Sequence, residues 1–320
     1  MYKFLVALSM LLATMTQAGN LVAKQQDFYD VTYILDIAWS PGGERIAIAG
    51  SAPPVESTAG HGYLSVINSI TGSAIFVAEP QSAFTSVAWS PDGQQLALGS
   101  FDGTVWVVNA TNGERINNLF GHASTVTDVD WSSDGSHIIS SGNWDKLTIV
   151  WDAQRYEEVS RITSNFHPFA VSFSPDDQTI AIGMENGVYL VPSNAQVNST
   201  TIDQYNLIPT WVLSLDYSDD GQYIAVGTIA HMNMLTGEQD SASIIIVDTT
   251  TNELVQQFES DFGSVTGIDW GPDNRFLYVL NQASVLTVLG VETGEIITSY
   301  STLGTERYQN GGIAFSPFGG

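Results

Sequence analysis

The histidines are the residues of this chain best suited to chemistry, because imidazole binds metals and transfers protons near neutral pH. Five are present, and they lie far apart in the sequence: His61, His122, His137, His167 and His231. None has a His-x-His or His-Glu-x-x-His spacing, so no zinc site is predicted. The chain also lacks cysteine, a Gly-x-Ser-x-Gly motif and a glycine-rich phosphate loop. We therefore predict no catalytic residue and no cofactor.

Carboxylates offer the second possible chemistry, since aspartates recur in the segments that read as the first strands of a repeat. These are Asp36, Asp128, Asp130, Asp216 and Asp269. Their oxygens could hold a hard cation such as Ca²⁺ in a central channel. In the alternative, each Asp packs against a neighbouring unit and accepts hydrogen bonds from backbone N–H groups. We favour this structural interpretation and expect no metal.

The elements that position these residues come from a repeat of an apolar strand ending in an aromatic residue and a tight turn. Its seven copies span residues 37–43, 87–93, 129–135, 171–177, 215–221, 268–274 and 313–319. The aromatics lie 42 to 53 residues apart. This period is typical of the blades of a β-propeller, each made of four antiparallel strands.

The second copy shows how the residues of one repeat predict its strands and turns. Phe84–Trp89 reads as an inner strand, and Ser90-Pro91-Asp92-Gly93 supplies the residues that a tight turn prefers. Residues 95–99, 104–109 and 115–119 follow as three further strands, separated by Asp-Gly and Asn-Gly turns. Helical periodicity is missing after the N-terminal segment, so the fold class is all-β.

Six complete units fit between Ile34 and Tyr300, and a seventh begins at Gly311. We expect a seven-bladed propeller whose last blade is incomplete. The alternative is a six-bladed ring with an additional terminal strand. In either case residues 19–320 form one propeller domain after a segment of residues 1–18.

The third unit carries the clearest family signature, with Gly121-His122 before its first strand and Trp151-Asp152 at the end of its third. In these residues the chain resembles the WD-repeat family. The resemblance implies a hydrogen-bonded network, which by position comprises His122, Ser141, Asp145 and Trp151. Its expected role is structural, because a buried imidazole and a buried indole N–H both require partners.

Two connections between second and third strands are longer than the repeat requires, namely 50–62 and 228–242. Equivalent connections of a propeller emerge on one face, and loops on a rigid scaffold commonly carry binding residues. The candidate binding residues in these loops are His61, His231, Met232 and Met234, with methionines supplying adaptable apolar contact. Neutral insertions remain the alternative.

Charge restricts the partner. The chain has 34 acidic and 9 basic residues, a formal net charge of −25, which argues against nucleic-acid binding. Between Arg161 and Arg275 there are 15 acidic residues and no Lys or Arg. This charge could serve only solubility, or it could steer a basic partner.

The first 18 residues have the order of a secretory signal peptide: Lys3, an apolar run from Phe4 to Met15, and small residues before a cleavage site after Ala18. The apolar run is too short to span a bilayer, which needs roughly 20 residues. We expect a secreted or periplasmic protein without a membrane anchor once the signal is removed.

Taken together, these features predict a non-catalytic scaffold that binds a protein or peptide. The alternative function is a hydrolase or lactonase of the propeller type, with a cation in the central channel. The WD-repeat resemblance supports the scaffold only by analogy, because one fold hosts many functions.

Overall fold

The computed structural model describes residues 33–51, 61–78, 80–194, 203–205, 210–230, 242–260, 263–271, 274–283, 285–301 and 313. The predicted signal segment lies outside this range. The described residues form six antiparallel sheets of four strands, each strand paired with its neighbour in sequence. The predicted all-β propeller of four-stranded blades is confirmed.

The blades follow one another along the chain. Blade one comprises β1 (Tyr33–Trp39), β2 (Arg45–Ser51), β3 (Gly62–Asn68) and β4 (Ala74–Ala78); blade two, β5 (Phe84–Trp89), β6 (Gln95–Ser100), β7 (Thr104–Asn109) and β8 (Arg115–Phe120); blade three, β9 (Val126–Trp131), β10 (His137–Gly142), β11 (Leu147–Asp152) and β12 (Glu158–Thr163). Blade four comprises β13 (Pro168–Phe173), β14 (Thr179–Met184), β15 (Gly187–Pro192) and β16 (Asp203–Tyr205); blade five, β17 (Val212–Tyr217), β18 (Tyr223–Thr228), β19 (Ala242–Asp248) and β20 (Leu254–Ser260); blade six, β21 (Val265–Trp270), β22 (Phe276–Asn281), β23 (Val285–Gly290) and β24 (Ile296–Ser301).

The turn between first and second strands is built from the predicted residues. In blade two, Gly93 takes a φ of 67°, a left-handed conformation that suits a residue without a Cβ. Ser90 Oγ donates to Asp92 Oδ1 at 2.6 Å and accepts the Gln95 N–H at 2.9 Å. These local bonds close the turn and fix the register of the two strands.

Every first strand carries a one-residue β-bulge near its beginning. A bulge leaves one residue outside the regular pairing and changes the direction of its side chain. The residues at these positions are Leu35, Thr85, Thr127, Phe169, Leu213 and Thr266, and all six line one central cavity. The bulges thus direct side chains towards the centre of the molecule.

Successive first strands pack against each other in the order β1, β5, β9, β13, β17, β21. Within the described ranges, β21 and β1 do not pack to a comparable extent. Ile313 joins the residues of these two strands in the lining of the central cavity. The six described blades match the six-bladed alternative, while the predicted seventh unit lies outside the described residues apart from Ile313.

Over the same ranges, no helix is long and apolar enough to cross a membrane.

Candidate functional site

A cavity of about 400 Å³ opens at the end of the molecule where the first strands begin. The turns between second and third strands lie at the same end, because β2 ends opposite the start of β1 and β18 ends opposite the start of β17. We call this end the cavity face. Both long connections of the sequence leave their strands at the cavity face.

Aromatic side chains surround part of the cavity mouth. Phe101, Trp144 and Phe169 belong to the lining, and Trp211 stacks on Phe169 with ring centroids 5.4 Å apart. These four residues form what we call the aromatic rim, which extends over blades two to five. Trp144 is 73% exposed and Phe101 53% exposed. Side chains of this size usually become buried, so their exposure around a cavity marks a surface for binding.

Trp144 is held in place by its neighbours although it is exposed. Its backbone N–H donates to the Asn143 side chain at 2.7 Å. Its ring packs edge-on against the His167 imidazole at 5.1 Å, and His167 Nδ1 lies 2.7 Å from Glu185 Oε2. The indole is therefore positioned by contacts from both blade three and blade four.

Beneath the rim, Asp36 and Asp128 line the cavity. Asp36 accepts the Val87 N–H at 2.8 Å, and Asp128 accepts the Val171 N–H at 2.9 Å. Each bond crosses from one blade to a strand of the following blade. Asp130 to Phe173 and Asp216 to Trp270 repeat the arrangement at 2.8 and 3.1 Å. The aspartates thus hydrogen-bond successive blades to each other.

Burial changes the acidity of these carboxyls. Loss of water is the largest cause that raises the pKa of Asp36 to about 6 and of Asp128 to about 7, although N–H donors act in the opposite direction. Asp130 has its pKa raised to about 6 for the same reason. Burial, followed by the charge of Asp269, raises the pKa of Asp216 well above its ordinary value.

The metal interpretation of these aspartates finds no support in the geometry. Within the described part of the chain, no three His, Cys, Asp or Glu residues come together in a way that could hold an ion. The backbone N–H groups that reach the carboxylates are the donors expected from the structural interpretation.

The network around His122 differs from its prediction in one residue. His122 Nδ1 lies 3.0 Å from Asp145 Oδ2, and His122 Nε2 lies 2.8 Å from the hydroxyl of Ser140. The Trp151 indole N–H donates to the same hydroxyl at 2.9 Å. The prediction of Ser141 is wrong, because adjacent residues of a strand face opposite sides. Ser141 instead lies 2.9 Å from the Thr127 hydroxyl.

The Asp145 carboxylate accepts several hydrogen bonds in this network. Burial opposes its ionisation, but the hydrogen bond and the charge of His122, with two backbone N–H donors, hold the pKa of Asp145 below its usual value. The carboxylate therefore stays charged and orients the imidazole. The network connects the turn before β9 to β10 and β11, and the His122 side chain is fully buried within it.

The predicted binding loops are described only at their ends. His61 is partly buried immediately before β3, while His231, Met232 and Met234 lie outside the described residues. Sequence reasoning missed the aromatic rim. A signal was present in the turns Phe101-Asp102-Gly103 and Asn143-Trp144-Asp145, where a large aromatic precedes the Asp of a tight turn.

The strand order, the ring of inner strands and the central cavity define a β-propeller. Residues 64–109 and 113–152 match the model of the WD domain, G-beta repeat. Together with the similar proteins below, this match supports a WD-repeat β-propeller family for the chain.

The similar proteins have comparable identities to this chain but differ in the share of their own length that matches. Eukaryotic translation initiation factor 3 subunit I of Candida albicans is 23% identical, over 69% of this chain and 66% of its own length. Protein hir1 of Schizosaccharomyces pombe is 27% identical, over 53% of this chain and 20% of its own. The chain thus spans from one fifth to about two thirds of these relatives.

A solved structure of hydrazine synthase from Kuenenia stuttgartiensis has a TM-score of 0.74 and 17% identity, with 94% of each chain covered. This likeness shows the fold alone.

Proposed function

We propose that this protein is a non-catalytic scaffold that binds a segment of another protein at its cavity face. The observation that carries the proposal is the aromatic rim, where Trp144 and Phe101 stay exposed around an open cavity. Exposed aromatic anchors of this kind dominate the binding energy of protein interfaces. The WD-repeat relatives agree with such a role, since one of them is by name a subunit of a larger factor.

Two finer features belong to the same proposal. Export is supported by the layout of residues 1–18. A basic partner is supported by the net charge of −25 and by the absence of Lys and Arg in the sequence between Arg161 and Arg275. Opposite charge raises association rates, and the effect weakens as salt screens it.

The test is affinity capture with the immobilised chain from residue 19 onward, using the extracellular fraction of the source cells. We expect a protein partner whose retention falls steeply between 50 and 500 mM salt. Trp144→Ala should reduce retention at least tenfold, because the exposed indole would provide an anchor. Mass spectrometry of the exported chain should find an N-terminus close to residue 19.

Ile70→Ala is the matched control. Ile70 is 87% exposed, in the turn between β3 and β4 at the opposite end of the blade. Its replacement removes a comparably exposed apolar side chain and should leave capture unchanged. Equal capture by Trp144→Ala and the unsubstituted chain would exclude the aromatic rim as the binding surface.

A further inference from the structure

The floor of the cavity holds two carboxylates that share one hydroxyl. Ser86 Oγ donates to Asp128 Oδ1 at 2.8 Å. Hydrogen bonding by the same hydroxyl also lowers the pKa of Asp36, against the larger effect of burial. A hydroxyl has a single proton, so it can satisfy only one of the two carboxylates at a time. The remaining donors are the backbone N–H groups of Ile37 and Val87 for Asp36, and of Val129 and Val171 for Asp128.

No basic side chain offsets these negative charges at the cavity. Its described lining residues include two Asp and no Lys, Arg or His. Above the carboxylates, the lining offers the rings of Phe101, Trp144 and Phe169. Aromatic faces attract cations, and a guanidinium or an ammonium can also pair with a carboxylate. The aromatic rings of the cavity walls and the two carboxylates of its floor therefore both favour a cationic group.

We propose that the cavity receives one cationic side chain, Lys or Arg, from the segment of the partner that lies on the aromatic rim. The stem of that side chain passes between the rim aromatics, and its charged end reaches Asp36 and Asp128. This inference rests on the proposed function and adds to it the chemistry of the recognised residue. The inference concerns only the side chain that enters the cavity and makes no claim about how the rest of the partner contacts the cavity face.

Entry of a cation should release a proton from Asp128. The groups that act on this carboxyl are Asp36 of β1, Asp130 of its own strand, the Ser86 hydroxyl of β5 and the Val171 N–H of β13. With a pKa of about 7, Asp128 is about one tenth ionised at pH 6 and about nine tenths ionised at pH 8. A cation binds the ionised form, so the titration of Asp128 alone should raise the affinity about tenfold over this range.

The experiment uses the chain from residue 19 onward and three 12-residue peptides of Gly, Ser and Ala. Their central residue is Arg, Lys or citrulline, the last being a neutral analogue of Arg. Isothermal titration calorimetry at pH 6, 7 and 8, in buffers of different ionisation enthalpy, measures affinity and proton release. We expect Arg or Lys to bind at least tenfold more tightly than citrulline. The comparison of Arg with Lys identifies the preferred cation.

Asp128→Asn tests the carboxylate itself, since it removes the charge and keeps an oxygen acceptor for the Val171 N–H. We expect at least a tenfold loss of affinity for the cationic peptide at pH 8. The pH dependence should become weaker, because only Asp36, with its pKa raised to about 6, still titrates beside the cation. Asp130→Asn is the matched control, because Asp130 lies on the same strand and bonds to the next blade but is not among the lining residues. At pH 8, where Asp128 is largely ionised with or without the charge of Asp130, it should leave peptide affinity unchanged.

Equal affinities for the Arg, Lys and citrulline peptides would overturn the proposal, as would unchanged binding by Asp128→Asn. If Asp128→Asn does not fold, proton release by the unsubstituted chain decides the question, and binding without release counts against the proposal. Failure of the proposed function looks different, because no protein would then be captured. A partner captured through Trp144 together with a peptide series that shows no charge preference would refute this inference alone.

Discussion

At the scale of the residue, one hydroxyl determines the polar centre of blade three. His122 Nδ1 lies 3.0 Å from Asp145 Oδ2, and His122 Nε2 lies 2.8 Å from the Ser140 hydroxyl. Ser140 in turn accepts the indole N–H of Trp151, and its side chain is fully buried. The Trp151 indole N–H and His122 Nε2 thus both depend on the Ser140 hydroxyl.

Ser140→Ala should therefore lower the free energy of unfolding by about 1–3 kcal/mol, since it leaves a buried indole N–H and an imidazole nitrogen without partners. Ser141→Ala should cost less. The Thr127 hydroxyl that it deprives can still donate to the Ser141 carbonyl oxygen, at 3.2 Å. Urea unfolding of the two variants gives the comparison. An equal or larger effect at Ser141 would contradict the assignment of the network.

At the scale of the element, the blades approach closely because glycine occupies a matching position in three second strands. An ideal Cβ on Gly99 would lie 2.9 Å from Val126 Cγ1, and one on Gly183 would lie 2.5 Å from Val212 Cγ1. Gly227 faces Val265 in the same way. In each case the valine belongs to the first strand of the following blade. The missing side chain is thus what lets neighbouring sheets pack.

Gly183→Ala should destabilise the protein by about 1–3 kcal/mol, because the added methyl overpacks a rigid contact between blades. Gly42→Ala provides the control in an exposed turn. There an added Cβ would meet only the side chain of Glu44, which is exposed and free to move. Thermal unfolding should show a clear decrease in melting temperature for the first variant and almost none for the second. Similar melting temperatures would argue against close packing at this interface.

At the scale of the whole molecule, buried aspartates join the blades around the central cavity. Their pKa values lie above those of an unfolded chain, at about 6 for Asp36 and Asp130 and about 7 for Asp128. These three carboxyls therefore bind more protons in the folded protein than in the unfolded chain between about pH 4 and 7. Over this range their contribution to stability increases as the pH falls.

We expect a higher melting temperature at pH 5 than at pH 8. Lower pH also reduces the repulsion within a chain of net charge −25, so the contribution of the buried groups needs a control. Asp128→Asn should flatten the dependence, whereas Glu44→Gln, which removes an exposed carboxylate of the same charge, should not. A protein that melts at a lower temperature at pH 5 would contradict this account.

The sequence by itself determined the architecture, because strand alternation and turn chemistry are local. The tight turns of the kind seen at Ser90-Pro91-Asp92-Gly93, the aromatic that ends each first strand and the period of 42 to 53 residues define the blades before any contact is known. The structural role of the inner aspartates also followed from this alternation. The position of Ser141 did not, since an error of one residue along a strand selects the opposite side.

Only the tertiary structure decided the candidate site. Phe101, Trp144 and Trp211 belong to three connections far apart in the sequence, and no local pattern indicates that they lie around one cavity. The ring of blades brings these connections to one face, and the β-bulges direct six further side chains into the cavity below them. The ring of blades also brings Asp36 of blade one and Asp128 of blade three into the same cavity. Contacts between blades that are far apart in the sequence depend on the geometry of the whole arrangement, which residue types and their spacing along the chain do not specify.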